Sequence, residues 1–103
     1  MSDRSDDPAP TASLSGAESG EATFIAAPLT RTQAGRFVER HATACGLDPR
    51  AHDLAAVARA VEGIARASAD LRGRLASLEA NPLIVGRRGA VAVDALAEAR
   101  PPA

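Results

Sequence analysis

The sequence predicts an α+β fold, with two helices packed on a small sheet that includes a C-terminal β-hairpin. Three observations carry this reading. Thr30 with Gln33 three residues on makes a capping box. Asp48-Pro49 joins a capping carboxylate to a proline suited to the first helical position. Two short apolar runs, Leu83-Ile84-Val85 and Ala90-Val91-Ala92-Val93, flank the turn residues Gly86-Arg87-Arg88-Gly89.

Taken in order, residues 1–21 are mostly Ser, Asp, Pro, Gly and Ala, and their composition predicts a disordered tail. Ala22 to Ala27 is short, apolar and followed by Pro28, which has no N–H to continue a ladder, so it reads as one strand. The first helix is expected from about Arg31 to Cys45. Phe37, Val38, His41, Ala44 and Cys45 form its apolar stripe, and Gly46 is the left-handed residue after it. The second helix is expected to open at Asp48-Pro49 and to end near Gly73. Leu54, Val57, Ala58, Val61, Ile64, Ala65 and Leu71 form its apolar side, and Glu62 and Arg66 pair on the opposite, solvated side. Asn81-Pro82 forbids a helix through that point, so residues 77–85 and 90–95 read as a hairpin. Ala95 to Ala99 reads as one helical turn. The expected order is β-α-α-β-β, with the domain at 22–97 and a short tail at 98–103.

Composition narrows the function classes. The chain has 103 residues, 25 of them Ala, and all twelve basic residues are Arg. Phe24 and Phe37 are the only aromatics and the net charge is −1, which supplies neither a stacking platform nor a basic surface for nucleic acid. One cysteine, Cys45, excludes an internal disulfide framework and a Cys-rich zinc site. No apolar run approaches the roughly 20 residues that span a bilayer, and no signal-peptide pattern is present. The expected location is cytoplasmic. A core of Ala, Leu, Val and Ile buries little area per residue, so the domain is expected to be marginally stable or to lean on a partner.

The stretch from Leu78 to Ala95 concentrates the polar chemistry. Glu79 and Asn81 are two apart on one strand and share a face. Asp94 on the paired strand falls opposite one of them. Two carboxylates and an amide oxygen are hard ligands that suit Mg²⁺. On spacing alone, a metal site and an ordinary solvated hairpin face both remain open.

Glu79-Ala80-Asn81-Pro82-Leu83, a Gly-containing turn and an apolar strand ending at Asp94 resemble the C-terminal hairpin of the ATP-grasp fold. The pattern is most similar to the ADP-forming (NDP-forming) acyl-CoA synthetases, relatives of the succinyl-CoA synthetase β subunit. Phe24-Ile25-Ala26-Ala27-Pro28-Leu29-Thr30 resembles the strand and Ala-Pro-Leu connection of the same family, and the likeness covers about residues 22–97. The resemblance implies a partial ATP-grasp-like domain. Asn81 and Asp94 would be Mg²⁺ ligands in a Mg-ATP site, with Glu79 beside the transferred phosphate. The chain has no Lys and no Gly-x-Gly-x-x-Gly, so nucleotide-binding and CoA-binding partner subunits of the same ligase are implied, and the chain alone is expected to be inactive. The alternative is a non-catalytic interaction or regulatory module that keeps the fold.

Other candidates take plainer roles. His41 is expected to be structural, His52 a surface residue and Cys45 a small hydrophobe at a helix C-terminus, where thiolate is not favoured. Arg87 and Arg88 are expected to be solvated.

Overall fold

The computed structural model describes residues 11–15, 22–26 and 29–101. Its elements run β1 (Thr11–Ser15), β2 (Ala22–Ala26), α1 (Arg31–His41), α2 (Leu54–Asp70), β3 (Leu75–Ala80), β4 (Leu83–Val85), β5 (Ala90–Ala92) and β6 (Ala95–Ala99). The strands form three antiparallel pairs, β1 with β2, β3 with β6 and β4 with β5. The α+β class holds: two helices pack together with small antiparallel sheets and a C-terminal hairpin.

The tail reading needs correction. Thr11–Ser15 is a strand whose register runs from Thr11↔Ala26 to Ser15↔Ala22. Composition alone missed it because the apolar strand β2 needs a partner for its backbone groups, and Leu14 packs against the core. The rest of the expected tail, 1–10 and 16–21, lies outside the described residues, as do Ala27 and Pro28 at the end of the expected first strand.

Helix α1 starts as its sequence dictates. Thr30 Oγ1 accepts from the Gln33 N–H (3.1 Å), and Gln33 Oε1 accepts from the Thr30 N–H (2.9 Å). Regular helix stops at His41, short of the expected Cys45. The remaining turn closes as a Schellman motif: the Leu47 N–H donates to Ala42 (2.8 Å) and the Gly46 N–H to Thr43 (3.0 Å). Gly46 takes φ +79°, the left-handed conformation expected of it.

The second helix begins five residues later than Asp48-Pro49 suggests. Asp48 instead folds a local turn, accepting the Arg50 N–H on its carboxylate and the His52 N–H on its carbonyl, both within 2.9 Å. His52 Nδ1 accepts the Asp48 N–H at 2.9 Å, which closes the turn on itself. Asp53 is the N-cap, with its carboxylate accepting from the Ala56 N–H (3.0 Å). The helix ends at Asp70, before the expected Gly73.

The core lies between the helices. Ala34, Phe37 and Val38 of α1 meet Val57, Ala58, Val61 and Ala65 of α2, with Leu29 alongside. Leu47, Leu54, Leu83 and Val85 pack on its margin. Three-to-four residue spacing puts these side chains on one stripe of each helix. Glu62 departs from the solvated position expected of it: it is buried at 7 % exposure. Its carboxylate is held by Arg66 (2.9 Å) and by Arg31 at the start of α1 (3.3 Å), so it ties the two helices at the rim. The missing signal was the α1 partner, which helical spacing within α2 cannot show.

The C-terminal half is one long ribbon. Register holds without a slip from Ser77↔Glu98 through Ala80↔Ala95, and resumes in step from Leu83↔Ala92 to Val85↔Ala90. The pairing of Leu83–Val85 with 90–92 is the expected hairpin. Ala95–Ala99 is a strand, not a helical turn, because β3 offers it a full ladder and Asp94 Oδ1 accepts the Ala95 N–H at its start (2.8 Å). The fold also runs past residue 97, with the Arg100 N–H donating to Arg74 (2.7 Å).

Two caps on α1 test this account. Thr30→Ala removes the capping box and is expected to cost about 1 kcal/mol. Gly46→Ala is expected to cost about 1–2 kcal/mol from the left-handed backbone alone, since open space surrounds its Cα. Chemical denaturation of both variants measures the two losses.

Candidate functional site

The ribbon carries every residue singled out for metal or phosphate chemistry, and the helices decide where the ribbon lies. Its tip is fixed by Asp53. The Asp53 N–H donates to the Gly86 carbonyl (2.7 Å), and the Gly89 N–H donates to Asp53 Oδ2 (2.8 Å). Gly86 and Gly89 keep one bond of their own, from the Gly86 N–H to the Gly89 carbonyl (3.1 Å). The second bond of that pair is thus replaced by two bonds to Asp53. Arg87 and Arg88 turn the chain, and Gly89 redirects it at φ +90°. The N–H groups of Gly89 and then Ala56 hold the Asp53 carboxyl below its ordinary pKa, with the positive charge of Arg59 adding to them.

Sequence reasoning missed Asp53 by giving the cap to Asp48. The signal was present: Asp53 directly precedes the periodic run Leu54, Val57, Ala58 and Val61. Its link to Gly89, thirty-six residues away, has no local signature.

Glu79, Asn81 and Asp94 lie in the middle of the ribbon. The Asn81 N–H donates to the Asp94 carbonyl (3.0 Å), which sets these two residues opposite one another. Glu79 stands opposite Leu96, two positions towards the root of the ribbon. All three residues are exposed. One oxygen of Asp94 is taken by the Ala95 N–H. Pro82 follows, joined to Asn81 by a cis peptide bond. The next bond runs from the Val93 N–H to the Pro82 carbonyl (3.0 Å), so bonded pairs fall at two consecutive levels and the ladder changes phase between Asn81 and Pro82.

The donor set is chemically right for Mg²⁺ and incomplete. Hard carboxylate and amide oxygens suit the ion. Among the described residues, no group of three or more His, Cys, Asp or Glu side chains is gathered closely enough to hold a metal. Phosphate oxygens and waters would have to complete the shell. Arg87 and Arg88 lie at the tip, six residues beyond the level of Asn81 and Asp94, about 20 Å away at strand rise. They are too distant to meet a phosphate held at Asn81 and Asp94.

The remaining candidates fall elsewhere. His41 packs edge-on against Phe37, with ring centroids 5.3 Å apart, in line with a structural role. His52 belongs to the Asp48 turn. Cys45 is half-buried in the turn that ends α1. No helix among the described residues is long and apolar enough to cross a membrane. No known protein family matches the chain, and neither a curated protein nor a solved structure matches it.

The Asp53 clamp gives a pH-dependent expectation. A carboxylate with a lowered folded pKa adds stability that is complete above its unfolded value and is lost as pH falls through the folded one. Asp53→Ala is therefore expected to melt below the parent chain at neutral pH, and the gap is expected to narrow as pH falls below the ordinary carboxylate range. Thermal melts of both chains across that range measure it.

Proposed function

We propose that the chain contributes part of a Mg-ATP site as a fragment or small subunit of an ADP-forming acyl-CoA ligase of the acetate–CoA type. Partner subunits would supply nucleotide and CoA binding. The observation that supports this reading is the placement of exposed Asn81 opposite exposed Asp94, with Glu79 on the same strand. In this reading the Asn81 amide oxygen and the free oxygen of Asp94 hold the ion, and Glu79 orders the charge around the transferred phosphate. When bound, Mg²⁺ neutralises phosphate charge during transfer. The rigid tip at Asp53 keeps the ribbon in one orientation, so that both ligands face the same partner domain.

A second reading rests on a separate observation. Ile84, Val91, Val93 and Leu96 are large apolar residues left exposed on the same ribbon. A non-catalytic interaction module needs such a surface and does not need the metal.

Backbone amide NMR of the full chain, titrated with MgCl₂ in the presence of ATP, separates the two. The metal reading expects weak, saturable shifts centred on Glu79, Asn81 and Asp94, lost in Asp94→Asn while the rest of the spectrum is kept. Shifts absent at tens of millimolar Mg-ATP, or unchanged by Asp94→Asn, leave the interaction module as the better account.

A further inference from the structure

The phase change at Pro82 leaves the ribbon with a continuous outward face. On the inner side Leu78 and Ala80 are half-buried in β3, while Leu83 and Val85 are half-buried in β4, the latter two against the helical core. The outward side carries the cross-strand pair Ile84↔Val91, then Pro82 and Val93, then Asn81 and Asp94, then Glu79↔Leu96. Ile84 is 56 % exposed, Val91 65 % and Val93 63 %. This face is basic at the tip, where Arg87 and Arg88 are exposed, apolar in the middle and acidic beyond, at Asp94 and Glu79.

The order of these zones matches itself in reverse. The Arg87-Arg88 tip lies three to four residues from the Ile84↔Val91 pair, and the Asn81 and Asp94 level lies three residues from it in the other direction. At strand rise both spacings are about 10–13 Å. A two-fold axis over Ile84↔Val91 lays one ribbon head to tail on another. It buries Ile84, Val91 and Val93 of each copy against the other. It also sets the two arginines of each tip over Asp94 of the other copy, within side-chain reach of Glu79 two residues further on. A face that presents both halves of its own complement is the requirement of an isologous interface.

We propose that this outward face is a self-association surface, and that its occupant is a second copy of this chain docked head to tail. Other charges leave the match intact. The Asp53 carboxylate at the tip is engaged by Gly89 and Ala56 on the helix side of the turn. Glu98 accepts from the Ser77 hydroxyl (3.4 Å), and Arg100 Nε donates to the Leu75 carbonyl (3.0 Å). Arg74 and Arg100 lie at the root of the ribbon, beyond Glu79. A two-stranded ribbon offers less than the roughly 800 Å² per partner of a standard interface, so the dimer is weak and its charged ends make it salt-sensitive.

Sedimentation velocity of the full chain, from micromolar to millimolar concentration and without metal or nucleotide, tests the surface independently of the Mg-ATP reading. The expected result is a reversible monomer–dimer equilibrium weakened by added salt. Ile84→Ser and Val91→Asp each weaken it by about tenfold or more, with circular dichroism unchanged because neither side chain is buried. R87E/R88E weakens it as well, and Glu79→Arg does the same. Mixing the R87E/R88E chain with the Glu79→Arg chain restores association as a heterodimer, a rescue that nonspecific apolar aggregation does not give. A chain that stays monomeric at millimolar concentration overturns the proposal. So does a dimer indifferent to the Ile84 and Val91 substitutions, as pairing through the open strand edges would be, or a mixture that shows no rescue.

Discussion

The tertiary arrangement hangs on one residue inserted into one turn. Asp53 places its own N–H and its carboxylate between Gly86 and Gly89, so that a helix N-terminus and a hairpin tip share a single hydrogen-bond set. The same carboxylate caps α2 through the Ala56 N–H. Three buildable parts (a helix start, a turn and a ribbon) are thus registered by a side chain with two acceptor atoms. From the ribbon, Leu83 and Val85 reach the core at its margin, beside Leu54. Directional hydrogen bonds therefore fix an orientation that so small an apolar contact leaves loose.

The helix pair solves a different problem. Its core residues are mostly Ala and Val, and Val38 and Val57 are the largest side chains wholly inside. Small side chains let helices approach closely but bury little area. Glu62 works against that economy, because a buried carboxylate is costly unless it is paired. Two guanidinium groups meet it, and one of them comes from the other helix. Because Arg31 and Arg66 remain largely in water, the pair anchors the α1 start against α2 without burying three charges.

What the sequence made legible was local. The Thr30 capping box, the Gly46 terminus and the turn between Leu83–Val85 and Ala90–Ala92 each involve residues within a few positions of one another. What it concealed depended on distant partners. β1 becomes a strand because β2 pairs with it, β6 because β3 does, and Glu62 is buried because Arg31 reaches it. The Asp48-Pro49 signal was sound chemistry put to another use, as His52 and Arg50 close a turn on Asp48 before the helix begins. For the candidate site, the backbone places Asn81 level with Asp94, and the sequence spacing had left open which residue would stand opposite.

The phase change between Asn81 and Pro82 is how polar and apolar residues come to share the outward face. In an uninterrupted strand, neighbouring residues alternate between faces, so Asn81 and Pro82 could not both be exposed without a hydrophobic position being lost inside. Here one bonding phase ends with the Asn81 N–H on the Asp94 carbonyl and the next begins at the adjacent level, with the Val93 N–H on the Pro82 carbonyl. The inward positions accordingly change from Leu78 and Ala80 to Leu83 and Val85, each pair still half-buried. Across the ribbon, Val93 and Asp94 are likewise adjacent and both exposed. The break therefore brings a carboxylate and an amide to the surface beside Val93, at the point where the apolar stretch from Ile84 and Val91 ends. Any ligand or chain that meets this face meets both chemistries at once, and the fixed tip at Asp53 determines the angle at which it does so.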